Sequence, residues 1–348
     1  MEFRECRLVT LHRIFKEIDP TIELTKSFLF LGGIKIALYK FPFRKNELIG
    51  LNGSGEMNSP YIFDELEIIY ETIDSQTFFS EYFQNREKYL YILPLLGDFL
   101  GVEKYDTRNI SVTGQSYLMI DDMDEQKIYF EFQGTQEFLM KSILEDVAKK
   151  QVWLLNGEFY VYKICKRKLQ ENLLLRKKLE IAEEELLLTC LNNYFSEFEY
   201  ISEEGLVRVE GIQTFEQIID YFKKLKMDIS KYNKTKNKNN YRKYIYLQML
   251  HMQKLICGGT DAFFRNEFKT ILEKYYLKND DSAIIKNKWI NLAALWRDFA
   301  RKLQNNISYN FIMKQPEKVI DMSIDYLKKI ALLEVDVMKE TNAFFMKK

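Results

Sequence analysis

Cys6 is the side chain in this sequence whose type and position best suit covalent chemistry. The spacing of apolar residues predicts a helix over about residues 6–18 with one buried stripe. The stripe consists of Leu8, Leu11, Ile14, Phe15 and Ile18. At about 100° per residue, Cys6 lies roughly 140° from the centre of this stripe. It falls in the first turn, where unpaired N–H groups and the helix dipole favour a thiolate. The position predicts a nucleophilic thiol, and a small buried apolar side chain is the alternative.

The two histidines of the chain, His12 and His251, restrict the reactions that it could catalyse. Two imidazoles exclude a three-histidine metal site, and no HExxH motif is present. The glycine patterns of dinucleotide-binding and P-loop sites are also absent. His12 follows Cys6 by one and a half turns on the core side of the same predicted helix. We therefore expect His12 to be a partly buried packing residue.

Composition excludes several further classes of protein. The 348 residues carry 51 Lys and Arg against 51 Asp and Glu, so no overall field recruits nucleic acid or an anionic membrane. The four cysteines form no CxxC pair, which argues against a zinc site and a disulfide framework. The start does not read as a signal peptide, and no apolar stretch reaches the roughly 18 residues of a membrane helix. We expect a cytoplasmic protein with no metal and no bound cofactor, whose oligomeric state the sequence leaves open.

The pattern of apolar runs predicts an α+β domain over residues 1–165 and an all-helical domain over 166–348. Strands are expected at 27–41, 89–96, 116–120, 127–132 and 158–164. The pair 116–120 and 127–132 is expected to form a hairpin around the acidic corner DDMDEQ. Helices are expected at 6–18, 62–72, 75–87 and 135–150. Further helices are expected at 166–195, 211–226, 241–257, 261–276, 281–305 and 315–345.

The segment 228–243 is the one strongly basic stretch of the chain. It carries six Lys or Arg against one Asp and is rich in Asn. Composition of this kind is typical of a solvated, mobile loop between two helices.

Five segments together resemble the butirosin biosynthesis protein H family of bacteria. Cys6–Tyr39 is similar to the family's opening, in which a nucleophilic Cys begins a helix with Thr and Leu, here Thr10 and Leu11, before a Gly-rich turn at Gly32–Gly33. The helical half is similar, in order, to the family's C-terminal domain. The similar segments are VEGIQTFEQIIDYFKKL, CGGTDAFFRNEFKTILEKYY, WINLAALWRDFARKL and LKKIALLEVDVM.

The resemblance implies a papain-like N-terminal domain, an appended helical domain and a place in secondary metabolite biosynthesis. The implied activity moves an acyl or aminoacyl group from the phosphopantetheine thioester of a carrier protein to an amine, through Cys6 acting with a His and an Asp. In this chain Gln115 and Ser116 occupy the neighbourhood of that His, and Glu131 falls at the position of the Asp.

Because neither histidine lies in this neighbourhood, three readings stay open. The first is a working acyltransferase in which Cys6 acts with Gln115, Ser116 or Glu131, or with a group supplied by the substrate. The second is a degenerate family member that binds a carrier protein or a pathway enzyme without catalysis. The third, apart from the resemblance, is a helical interaction protein with an α+β accessory domain.

Two further segments are candidates for holding the carrier protein. Gly258 and Gly259 precede a predicted helix containing Arg265, and N–H groups at its first turn could bind the phosphopantetheine phosphate. The alternative is a tight turn, with Arg265 tied to a carboxylate of its own domain. Carrier proteins are generally acidic, so the basic segment is the candidate docking element. Its candidate contact residues are Lys234, Lys236, Lys238 and Arg242.

Overall fold

The computed structural model describes residues 6–31, 34–43, 46–52, 61–96, 115–132, 135–144, 160–201, 207–257, 262–275 and 282–346. The chain forms two compact units. The first combines residues 1–31 with 56–183, and the second combines 32–55 with 184–348. The boundary predicted near residue 165 falls inside the first unit.

The first unit is built on a six-stranded antiparallel sheet with the strand order β3-β8-β4-β5-β6-β7. Its strands are β3 (Tyr70–Asp74), β4 (Tyr89–Leu96), β5 (Gln115–Met123), β6 (Lys127–Phe132), β7 (Thr135–Met140) and β8 (Tyr160–Cys165). Its helices are α1 (Cys6–Lys16), α2 (Leu24–Phe30), α3 (Tyr61–Glu65), α4 (Ser75–Asn85), α5 (Lys166–Gln170) and α6 (Leu173–Glu180).

One face of this sheet forms a core with α4. Phe78 and Tyr82 of α4 pack with strand residues that include Leu118, Ile120 and Phe130. The predicted hairpin is confirmed, because β5 and β6 pair antiparallel around the acidic corner. Asp124 closes that corner by accepting hydrogen bonds from the N–H groups of Gln126 and Lys127, each at 2.7 Å.

The second unit joins a small antiparallel sheet to the helical C-terminal region. The sheet contains β1 (Ala37–Phe43), β2 (Asn46–Asn52), β9 (Phe198–Ile201) and β10 (Val207–Glu210), in the order β2-β1-β10-β9. The helices are α7 (Glu183–Asn193), α8 (Gln213–Tyr232), α9 (Lys238–Cys257), α10 (Arg265–Tyr275), α11 (Ala283–Asn306), α12 (Tyr309–Lys314) and α13 (Pro316–Met346). The helical C-terminal region is thus confirmed from α8 to α13.

Gly211 makes the turn from β10 into α8. Its φ of +97° lies in the left-handed region, and a Cβ at this position would stand 2.8 Å from the carbonyl oxygen of Ser196. Only glycine fits this turn without displacing the backbone.

Several local predictions were wrong, and in each case packing or pairing overrides the local pattern. Residues 24–30 form a helix that buries Phe28 and Leu29, although the apolar run from 27 was expected to be a strand. Residues 135–140 form β7, where a helix was expected, because they pair with β6 and bury Leu139. The expectation that everything after 166 is helical fails at β9 and β10, since β10 pairs with the distant β1.

The basic segment 228–243 also differs from the expected loop. Helix α8 continues to Tyr232 and α9 begins at Lys238, so only residues 233–237 connect them.

Candidate functional site

Helix α1 is fastened to β5 by two contacts that fix their mutual register. The hydroxyl of Thr10 donates to the carbonyl oxygen of Tyr117 over 2.5 Å. Pro94, the partner of Tyr117 on β4, has no N–H to offer the ladder. Three residues further along α1, the guanidinium of Arg13 donates to Asp121 Oδ1 over 2.5 Å. Helix and strand therefore run in the same direction.

This register brings the backbones of Cys6 and Gln115 to a similar level. Cys6 is the first residue of α1 and precedes Thr10 by four residues, which is roughly 6 Å along the axis. Gln115 is the first residue of β5 and precedes Tyr117 by two residues, roughly 7 Å. The structure describes α1 from Cys6 onward, within the helix that the sequence predicted, whereas the side chains of Cys6, Gln115 and Ser116 lie outside the described part of the chain.

Glu131 lies further along the hairpin than Gln115. Its neighbour Phe130 pairs with Ile120, five residues beyond Gln115, so Glu131 is more than about 10 Å from Gln115 along the strand direction. Its side chain is exposed and alternates with that of Phe130, which enters the core. The structure therefore does not bring Glu131 to the level of Cys6.

His12 is half-buried on α1, as the sequence predicted, and its Nδ1 lies 3.0 Å from the hydroxyl oxygen of Ser27. Burial lowers the pKa of this imidazole, and the nearby charge of Lys16 lowers it further. His251 is buried in α9 of the second unit. Neither imidazole belongs to the strands β5 and β6.

An open cleft of about 490 Å³ lies at the other end of α1. Its lining includes Arg13 of α1, Arg86 after α4, and the consecutive Asp121 and Asp122 of β5. Arg86 donates to Asp122 Oδ1 over 2.9 Å. Sequence reasoning identified the acidic corner as a turn signal and missed the cleft, because Arg13 of α1 and Arg86, which follows α4, are distant from that corner in the sequence.

Arg265 is completely buried in the second unit and forms an ion pair with Glu334, which is also completely buried. A second N–H of its guanidinium donates to the carbonyl oxygen of Phe263 over 2.6 Å. Glu334 also accepts hydrogen bonds from Tyr194 at 3.0 Å and Trp296 at 3.1 Å. This is the alternative that the sequence left open, a structural Arg tied to a carboxylate of its own domain. Gly258 and Gly259 lie outside the described residues.

The basic candidates differ in how free their side chains are. Lys234 and Lys236 are exposed in the short connection, and Lys238 is half-buried at the start of α9. Arg242 is bound to its own unit, since it donates to the carbonyl oxygen of Met313 and to Asn233 Oδ1 at 3.0 Å.

Two other thiols provide a comparison for Cys6. Cys190 is buried, and burial raises the pKa of its thiol to about 12, so it stays protonated near neutral pH. Cys165 is half-buried at the end of β8.

Among the residues that the structure describes, no group of three or more His, Cys, Asp or Glu side chains could hold a metal ion. None of the described helices is both long enough and apolar enough to span a bilayer.

No family model matches the chain, and no curated protein matches its sequence.

Proposed function

We propose that this protein is an acyltransferase that uses Cys6 as its nucleophile, in a papain-like first domain. The Cys6 thiol loses its proton, and the thiolate attacks the carbonyl carbon of a carrier-protein thioester. An acyl–S bond forms at Cys6, the bond from the carbonyl carbon to the phosphopantetheine sulfur breaks, and this sulfur leaves as a thiol by taking up the proton that Cys6 released. An amine then attacks the acyl–Cys6 thioester, an amide bond forms, and the amine proton returns to the Cys6 sulfur.

The observation that carries this proposal is the position of Cys6 as first residue of α1, on a helix fixed to β5. Unpaired N–H groups and the helix dipole at this end favour the thiolate over the thiol. The shared level of Cys6 and Gln115 supports a role for Gln115 and Ser116 beside the reacting carbonyl. An amide or hydroxyl donor there would stabilise the oxyanion of the tetrahedral intermediate. Glu131 is the weaker candidate because of its distance along the strand.

The carrier protein is the proposed macromolecular partner, and its phosphopantetheine arm is a substrate group rather than a resident cofactor. Lys234 and Lys236 are exposed and can attract an acidic surface. Arg242 and Arg265 are less suited to ligand contact, since both are tied to main-chain or carboxylate oxygens of their own unit.

Acylation of the intact protein tests the proposal. The protein is incubated near neutral pH with an acyl thioester of N-acetylcysteamine, a small analogue of the carrier arm, and its mass is measured. We expect one acyl adduct on Cys6, absent in Cys6→Ala and retained in the matched control Cys165→Ala. An adduct that persists in Cys6→Ala would show that another residue is acylated and that Cys6 is not the nucleophile.

A non-catalytic carrier-protein binder is the second candidate, because neither histidine belongs to β5 or β6, where the resemblance places the catalytic His. It predicts no acyl adduct together with carrier binding that weakens in a Lys234→Glu/Lys236→Glu variant. The acyltransferase predicts the adduct whether or not these lysines are changed.

A further inference from the structure

The cleft at the C-terminal end of α1 contains two carboxylates that a β-bulge presents together. In the pairing of β5 with β6, Ile120 faces Phe130 and Asp122 faces Tyr129, so Asp121 is the extra residue. Ile120 and Met123 both enter the core that contains α4. The bulge therefore keeps two consecutive residues, Asp121 and Asp122, off that core face, which an unbroken strand could not do.

Each carboxylate is held by an arginine from a different helical segment. Arg13 of α1 holds Asp121, and Arg86, which follows α4, holds Asp122. Among the described residues, hydrogen bonds reach only the Oδ1 atom of each carboxylate. The Oδ2 atoms keep acceptor capacity. The Asp122 side chain is 58% exposed and that of Arg86 is 45% exposed, so the second pair is accessible to a ligand.

The charge of the lining restricts the class of ligand. Four basic and four acidic side chains line the cleft. Their fields cancel at a distance, so a polyanion such as a nucleotide gains no net attraction, and neither does a polycation. At close range, each Arg–Asp pair places N–H donors beside carboxylate acceptors. A molecule with one ammonium and one carboxylate group can engage both charges of such a pair.

The floor of the cleft can hold an aliphatic stem between these two charges. Tyr82, Met119 and Ile120 line the cleft and are each at least nine-tenths buried, so only a small apolar surface of each is presented. The volume of about 490 Å³ is within the range of small-molecule sites.

We propose that this cleft binds a small zwitterion, with its ammonium group on Asp122 and its carboxylate group on Arg86. The site is separate from the proposed nucleophile, because Arg13 lies seven residues beyond Cys6, about 10 Å along α1. The proposal does not depend on acyl transfer.

Binding of 5-aminopentanoate, a zwitterion with an aliphatic stem between its two charges, to the full chain tests the site. The protein carries Cys6→Ala and ¹³C-labelled methionine methyl groups, and the methyl signal of Met119 reports on the cleft. Two fragments of the probe, n-butylamine and pentanoate, are titrated in parallel. We expect saturable movement of the Met119 signal with 5-aminopentanoate and at least tenfold weaker binding of each fragment.

Asp122→Asn should weaken 5-aminopentanoate binding at least tenfold, and Glu125→Gln, an exposed carboxylate of the adjacent turn outside the lining, should leave it unchanged. Arg86→Gln provides a second variant if Asp122→Asn does not fold, and it should lose affinity for 5-aminopentanoate while retaining that for n-butylamine. Equal affinity for 5-aminopentanoate and n-butylamine, unchanged binding in the variants, or no saturable shift overturns the proposal. Because the protein used in this experiment carries Cys6→Ala, none of these outcomes tests the proposed acyltransferase activity.

Discussion

Arginine–carboxylate pairs occur in two contrasting settings in this protein. In the second unit, Arg265 and Glu334 are both completely buried, and Tyr194 and Trp296 add hydrogen bonds to the carboxylate. In the first unit, Arg86 and Asp122 are about half exposed at a cleft. The same two functional groups thus form a buried ion pair in one region and an accessible polar surface in the other.

Burial, more than residue type, decides what such a pair can do. A buried ion pair must satisfy its own donors and acceptors, because no water replaces a lost partner. A partly exposed pair exchanges its hydrogen bonds with solvent at little cost and can exchange them with a ligand. Sequence reasoning considered Arg265 as a ligand residue and passed over Arg13 and Arg86, whereas in the structure Arg265 is buried and Arg86 is accessible at the cleft.

The largest expected effect is the loss of the buried arginine. Arg265→Met keeps an aliphatic stem of similar length but leaves the Glu334 charge buried without its partner. We expect a loss of roughly 3–5 kcal/mol in the free energy of unfolding, measured by urea denaturation. The matched change Arg86→Met at the exposed pair should cost no more than about 1 kcal/mol. Similar losses in the two variants would show that the buried and the exposed pair do not differ in their contribution to stability.

A smaller effect is expected from one hydrogen bond of the same cluster. Tyr194→Phe removes the hydroxyl that donates to Glu334 Oε1 but keeps the buried ring. A hydrogen bond to a charged group contributes about 1.5–3 kcal/mol, so we expect a loss in that range by the same denaturation measurement. Tyr309→Phe, at a ring that is 47% exposed, is the control and should be nearly neutral. A neutral Tyr194→Phe would mean that Arg265 and Trp296 alone satisfy the carboxylate.

The sequence predicted those elements whose pattern is local. The helix at Cys6, its buried stripe over Leu8, Leu11, Ile14 and Phe15, and the β5–β6 hairpin were all expected and are present. Leu8 and Ile14 are completely buried, which confirms the face assigned to them. Helical periodicity and a turn between two apolar runs are properties of a few consecutive residues, so no distant partner is needed to see them.

What the sequence could not show depends on distant pairing. Strand β10 forms because residues 207–210 meet residues 37–40, and nothing near either segment specifies the other. The cleft likewise requires Arg13 and Arg86 to meet residues 121 and 122, where a one-residue bulge changes the direction of two side chains. The ion pair of Arg265 with Glu334 spans 69 residues and was foreseen only as a general alternative.

The partly exposed pair between Arg13 and Asp121 should contribute little to stability. A double-mutant cycle with Arg13→Met and Asp121→Asn should give a coupling of about 0.2–1 kcal/mol. The coupling should shrink as salt rises, because the Debye length falls to about 3 Å at 1 M ionic strength. A coupling above about 2 kcal/mol that does not change with salt would mean that the Arg13–Asp121 pair stabilises the fold as a buried ion pair does. The ion pairs of the two units would then not differ in kind.

The smallest expected effect concerns His12. Its side chain is half-buried beside Ser27, so its burial is intermediate between that of the Arg265–Glu334 pair and that of the Arg86–Asp122 pair. Burial, with the charge of Lys16, lowers the pKa of its imidazole below the ordinary value of 6.5. The unfolded chain therefore binds this proton at a higher pH than the folded protein does. Where the unfolded state binds more protons, stability rises with pH, so the free energy of unfolding should fall as pH decreases below about 6.5.

NMR titration of the imidazole signals checks the direction of this shift. The chain has two histidines, so a His12→Gln variant assigns the His12 signal by its disappearance. We expect a midpoint below 6.5 for His12, and a smaller drop in stability between pH 7 and pH 5 for His12→Gln than for the wild type. A midpoint at or above 6.5 would show that a neighbouring anion outweighs burial. The surroundings of the His12 imidazole would then favour its charged form, and burial would not be the factor that sets its pKa.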